Sequence, residues 1–212
     1  MPERTPPPEH DPTRRALGGW LWRLPVLAAL AATGFGAREV WRVHFSKAAP
    51  ADPPRFEDRE PVEVAPLERF GSEWDAVAFT LGGTPCLAVR LPAEIPGSLI
   101  VSASAAAPRP AVGRAADGSG DHAFLAGFSR VCTHLGCLVD LNLDAEAIAF
   151  AFNHRGDGPQ LTCACHYSVF DPRRAGRVVS GPAVLPLPRA RLRLEDRAGT
   201  RVVLADGLES DA

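Results

Sequence analysis

Four of the chain's five cysteines lie in two short boxes, Cys132-Thr133-His134-Leu135-Gly136-Cys137 and Cys163-Ala164-Cys165-His166-Tyr167-Ser168. Each box offers one thiolate and one imidazole, at C-x-H spacing in the first and C-x-x-H in the second, with one cysteine left over. Soft thiolates suit iron bridged by sulfide, and imidazole is a good ligand for iron on the wetter side of a cluster. Two sulfurs and two nitrogens complete the four protein ligands of an iron pair, and the spare cysteines could staple the loops together. The same four side chains could close a tetrahedral zinc site, although zinc spacings usually read C-x-x-C with H-x-x-x-H. A framework of disulfides alone would use the cysteines and give the histidines no role.

The two boxes resemble the cluster-binding loops of Rieske iron–sulfur proteins, most of all the disulfide-bearing kind in quinol-oxidising cytochrome bc complexes. The resemblance implies a 2Fe-2S cluster, with Cys132 and Cys163 on the inner iron and His134 and His166 on the outer one. Exchanging two thiolates for imidazoles removes negative charge and raises the potential to roughly −150 to +300 mV. The resemblance also pairs Cys137 with Cys165, a staple worth roughly 3 kcal/mol on the chain-entropy estimate. Ser168 stands where the family's serine donates a hydrogen bond to a cluster sulfide, which favours the reduced state.

Departures from the family pattern carry their own expectations. Phe170 stands where many high-potential members have a tyrosine, and a phenyl ring donates no hydrogen bond. A lowered potential follows, suited to a low-potential quinol such as menaquinol. Ala164 replaces the usual proline, which loosens the loop. Tyr167 replaces the usual glycine, so the backbone there is expected to avoid conformations that only glycine tolerates. Leu135 matches the leucine that enters the partner's quinol-oxidation pocket, so Leu135, His134 and His166 are the expected quinol contacts. Downstream, Gly181 and Pro182, followed by Leu185-Pro186-Leu187-Pro188, resemble the stiff loop that covers the cluster from a third side.

The elements that must position these loops form an all-β head. Apolar or alternating runs at 74–81, 86–91, 99–102 and 123–131, separated by Gly/Pro turns, predict strands. Cys86, the fifth cysteine, belongs in one of them as a buried residue. Residues 103–121 read as a mobile loop, and 138–141 with 148–152 as a hairpin between the boxes. Runs at 191–195 and 200–204 flank a turn and predict a second hairpin. The resemblance makes the whole an antiparallel β sandwich, the head spanning 62–212, with an inserted cluster-binding subdomain at about 129–171.

Ahead of the head, residues 1–16 are rich in proline and charge and read as disordered. Residues 17–41 are largely apolar and bracketed by Trp20, Trp22 and Trp41, which predicts a transmembrane anchor. Thr13-Arg14-Arg15-Ala16-Leu17 also resembles a twin-arginine export signal. Residues 42–61 are charged and proline-rich and read as a hinge tether. A net charge of −2 without a basic, aromatic-interleaved run argues against nucleic acid as a partner.

The resemblance implies an electron-transfer subunit of a quinol–cytochrome c oxidoreductase. Its head would face the outer side of a bacterial cytoplasmic membrane. Its partners would be quinol, a cytochrome b subunit and a c-type cytochrome. The small Rieske subunit of an arsenite-oxidase-type enzyme is the alternative in the same chemistry. A Rieske ferredoxin lacks the Cys137/Cys165 pair and the anchor, and a zinc-stabilised binding module is the non-redox option.

Overall fold

Burial on both faces of a strand leaves a signature that single-faced strands lack, and two strands here carry it. In Thr84–Leu91, Cys86 and Ala88 face one core while Leu87, Val89 and Leu91 face another. In His122–Ser129, Ala123 and Leu125 point to the first core, Ala126 and Phe128 to the second. Alternation of side chains across the pleat thus explains near-continuous apolar runs in an antiparallel sheet.

The computed structural model describes residues 23–102 and 122–210. The expected disorder at 1–16, the export signal at 13–17 and the loop at 103–121 lie outside them. In chain order the elements are α1 (Arg23–Phe45), β1 (Phe56–Pro66), β2 (Ala76–Leu81), β3 (Thr84–Leu91), β4 (Leu99–Ser102), β5 (His122–Ser129), β6 (Asp140–Asn142), α2 (Ala145–Phe152), β7 (Gln160–Cys163), β8 (Ser168–Asp171), β9 (Arg177–Ser180), β10 (Arg189–Arg197) and β11 (Thr200–Glu209). Seven strands form one antiparallel sheet in the order β1-β11-β10-β5-β3-β2, with β4 on β5. Its end strands, β1 and β2, come back into contact. The expected sandwich therefore takes the form of one sheet curled until its edges meet. A second antiparallel sheet, β6-β7-β8-β9, carries the boxes and extends past residue 171 to Ser180.

Under the curled sheet lies an ion pair removed from water. Arg189 donates Nη2 to Glu209 Oε1 at 2.6 Å and Nε to Oε2 at 2.9 Å, with both side chains about 2% exposed or less. Arg189 also donates to the carbonyls of Pro96 and Ala51, joining β10, β11 and two loops. Every guanidinium nitrogen has an acceptor, which is what a buried cation requires.

Two expectations are corrected. The strand expected at 148–152 is the helix α2. Asp144 caps it by accepting from the Glu146 and Ala147 amides, and Asn153 ends it at φ +47, in the left-handed region. Alternation of Ala and Phe imitated a strand, but the caps and helix-forming residues decided the outcome. Of the tether expected at 42–61, residues 42–45 belong to α1 and 56–61 to β1, and between them the Ala48 amide donates to Val184 O and the Ala51 carbonyl accepts from Arg189. β1 is an edge strand, so its charges face solvent and Pro61 falls at a break in register between Asp58 and Val62.

The anchor expected at 17–41 falls only partly within the described residues. Among the described residues no helix is long and apolar enough to cross a membrane, and residues 17–22 of the expected span lie outside them. Within α1 only 24–37 is free of Asp, Glu, Lys and Arg, about 21 Å of helix against a hydrocarbon core of about 30 Å. Of α1, residues 23–42 cluster as a unit of their own, and Val43 onward belongs to the second.

Candidate metal centre

The first box is the tip of a loop closed by backbone pairing. Val131 bridges Leu138, and the Val139 amide donates to the Arg130 carbonyl at 2.8 Å. Inside that closure the Cys132 amide donates to Cys137 O and the Gly136 amide to Cys132 O. Gly136 sits at φ +77, where a Cβ is strained, so this turn needs its glycine. The second box is the turn between β7 and β8, closed where Cys163 pairs with Ser168. Tyr167 lies at φ +60 in that turn, contrary to the expectation that it would avoid glycine-like backbone. The four-residue connection needs a left-handed residue before β8, and the tyrosine accepts that strain.

The loops are joined covalently. Cys137 and Cys165 form a disulfide with Cα atoms 6.5 Å apart, bridging a sequence separation of 28. The remaining box cysteines, Cys132 and Cys163, are buried free thiols in hydrogen-bond contact, and Cys86 is buried away in its strand as expected. Burial pushes the Cys132 thiol up, while the amides of His134 and Leu135 aimed at its sulfur pull the other way. The His134 and His166 rings meet edge to face, centroids 4.9 Å apart at 83°. His134 Nδ1 is buried without a hydrogen-bond partner.

That nitrogen is the test of what the residues can hold. A buried imidazole nitrogen without a partner costs about 1–3 kcal/mol, so a native site does not keep one idle. Two sulfurs in contact, two imidazoles in contact and a staple behind them form a donor set of two thiolates and two nitrogens. A 2Fe-2S cluster of mixed ligation needs that set. The residues fit the cofactor.

A third segment closes over the loops. At Gly181 (φ +84) a Cβ would lie 2.4 Å from Tyr167 O and 2.5 Å from Ser168 Cα. Only glycine permits that approach. Beyond Pro182, the Ala183 amide donates to Ser168 Oγ at 3.1 Å, which leaves the serine's own hydrogen to be donated. Thr133 Oγ1 donates to Leu185 O at 2.7 Å, tying the first box to the same segment. Lys47 Nζ donates to the carbonyls of Gly181 and Ala183, both at 2.5 Å. Sequence reasoning missed Lys47, whose partners lie 134 and 136 residues away. Leu135 is 68% exposed at the tip, and Phe170 is fully buried in the core beneath the boxes with Leu161 and Cys163.

A small antiparallel β domain that presents two stapled Cys/His loops offers the donor set of an iron–sulfur site. Residues 111–191 match the family described as the Rieske [2Fe-2S] domain. Its cofactor is a 2Fe-2S cluster of the Rieske type. The chain is 35% identical over 72 residues to the cytochrome b6-f complex iron-sulfur subunit of Chlorobaculum tepidum, which covers 34% of this chain and 32% of that one. It is 31% identical over 75 residues to the cytochrome bc1 complex Rieske iron-sulfur subunit of Streptomyces lividans, covering 35% and 37% respectively. It is also 37% identical over 62 residues to a putative respiratory nitrate reductase subunit Rieske of Haloferax mediterranei, covering 29% and 22%. The first two matches span about a third of the length of those relatives.

Proposed function

We propose that Cys132, His134, Cys163 and His166 hold the cluster, and that the chain is the electron-transfer subunit of a quinol–cytochrome c oxidoreductase. The observation that carries the ligand set is the buried, unpartnered His134 Nδ1 against the His166 ring, beside the paired thiols of Cys132 and Cys163. The names of the b6-f and bc1 relatives support the wider reading. Bound there, the cluster supplies a one-electron carrier.

The residues around it do the rest. With Nδ1 as the ligating nitrogen, Nε2 of each imidazole is left outward to accept a quinol hydroxyl proton. Leu135, exposed beside His134, would enter the apolar quinol pocket of a cytochrome b subunit. The His134 and Leu135 amides aim hydrogen bonds at the Cys132 sulfur, and Ser168, whose Oγ accepts from the Ala183 amide, would donate its own hydrogen to a cluster sulfide, favouring the reduced state. Phe170 withholds one such bond, which suits menaquinol as donor. A c-type cytochrome would take the electron onward.

The head would stand at the outer face of a bacterial cytoplasmic membrane. Supporting this, α1 exposes Val26, Leu27, Leu30, Phe35 and Val40 around its surface, apolar side chains that seek lipid or a partner helix. A second reading is the Rieske small subunit of an arsenite-oxidase-type enzyme with a molybdenum partner subunit, and the relative named as a putative respiratory nitrate reductase subunit keeps a complex outside the bc type open.

EPR of the dithionite-reduced full-length protein, recorded through a redox titration, tests the ligand set. A rhombic signal whose average g lies below the free-electron value is expected. Colourless protein with stoichiometric zinc overturns the electron-transfer reading. Affinity purification from membranes separates the two complexes, since haem b co-purifies with one and molybdenum with the other.

A further inference from the structure

On the Rieske domain, between α2 and the loop that follows β8, lies a cavity of about 400 Å³ that the cluster chemistry does not use. Five cations line it against two carboxylates, Asp157 and Asp171. Asp171 is taken, since its carboxylate accepts from the Arg173 amide and side chain and pairs with Arg174. Arg155 and Arg177 have no ion pair among the described residues, and Lys47 reaches the same wall. The cavity therefore carries surplus positive charge with guanidinium groups free to bind.

Its floor holds a polar group that lacks a partner. Gln160 is 1% exposed, it lines the cavity, and its Oε1 is buried with no hydrogen-bond partner. Gly156 keeps the space beside it open, because a Cβ there would come within 3.1 Å of Gln160 Nε2 and 3.2 Å of His154 Nε2. A ligand that satisfies this wall needs anionic oxygens for the arginines and a hydrogen for Gln160 Oε1. Sulfate has the oxygens and no proton. Hydrogen phosphate and phosphate monoesters have both.

We propose that this cavity is a phosphate site: Arg155 and Arg177 bind the anionic oxygens and Gln160 accepts from the protonated one. The phosphate is either free or the monoester headgroup of a lipid, and the two sources share this chemistry.

Titration calorimetry on the full-length, cluster-loaded protein in detergent tests it, with inorganic phosphate, sulfate and short-chain phosphatidic acid below its micelle concentration as probes. At least one phosphate probe is expected to bind ten times more tightly than sulfate. Preference for inorganic phosphate identifies the free ion, and preference for phosphatidic acid identifies the headgroup. Arg155→Ala with Arg177→Ala, both exposed, is expected to weaken that binding at least tenfold. Gln160→Leu is expected to bring phosphate and sulfate to equal affinity. No binding of either phosphate probe, or binding that the arginine variant leaves unchanged, overturns the proposal.

Discussion

Strands β3 and β5 are buried on both faces and locked by six pairings, Cys86↔Ser129 through Leu91↔Phe124. The boxes at 132–137 and 163–168 send only Cys132, Cys163 and Ser168 into the interior. They are held by a disulfide, a glycine approach at Gly181, one hydrogen bond each from Thr133 and Ala183, and two from Lys47. The base spreads its stability over many small apolar contacts, and the tip concentrates it in few directional ones. Loops that leave His134 half-buried and His166 exposed gain little from a core, so their rigidity comes from constraints that cost little surface. Damage to the base should spread through the fold, and damage to the tip should stay local.

The largest break is expected in the base. Arg189→Ala leaves Glu209 buried and unpaired, and strips acceptors from Pro96 and Ala51 of their donor. Loss of one partner from a buried pair costs about 3–5 kcal/mol. Chemical denaturation should show a global loss of that size. An unchanged unfolding midpoint would show that water or a neighbour replaces the pair.

At the tip, replacing Cys137 and Cys165 by serine removes the covalent tie that holds the two loops against each other in the folded protein. The loss should fall on residues 132–137 and 163–168. Hydrogen exchange should rise in these loops while β3, β5 and β10 keep their protection, and the cluster should be lost faster to chelator. Equal deprotection of the base would erase the distinction between the two regions.

The base was the more legible region, for a physical reason. Two-sided burial writes apolar runs into β3 and β5, and hairpin β10–β11 is announced by alternation around residues 196–199. The disulfide pairing came from resemblance and the structure bears it out. What escaped was set by contacts distant in sequence or by competing local signals. Lys47 carries no local mark of its hold on residues 181 and 183. Tyr167 takes a positive φ because a turn between paired strands demands it. α2 could have been found, since Asp144 before Glu146 and Asn153 at the far end are a start and a stop signal. The Ala/Phe alternation drew attention away from them.

A subtler change sharpens the comparison by acting on the tip's chemistry while sparing its fold. Phe170→Tyr adds a phenol under the boxes, and a hydrogen bond from it to sulfur would favour the reduced state. One such bond of about 1.4 kcal/mol moves a one-electron midpoint up by roughly 60 mV. Redox titration followed by EPR measures it. A midpoint that does not rise would mean that the hydroxyl points away from sulfur, and that Phe170 is a packing residue without influence on potential.

The smallest effect is expected at α2, which stands on the tip's sheet but outside its clamp. Asp144→Ala removes the acceptor for the Glu146 and Ala147 amides, a cap worth about 1 kcal/mol. Only Ile148 of α2 is buried, and Phe150 is 94% exposed, so little packing couples the helix to its surroundings. Fraying should therefore stop at β7, with hydrogen exchange faster across Ala145–Phe152 and unchanged at Cys163. If the cluster's midpoint moved with this substitution, the helix would have to reach the metal centre through Phe152, whose ring meets Tyr167 edge to face at 5.8 Å. That contact is the one ring-to-ring path from the helix to the second box among the described residues, and Phe152→Ala beside Asp144→Ala would show whether it transmits anything.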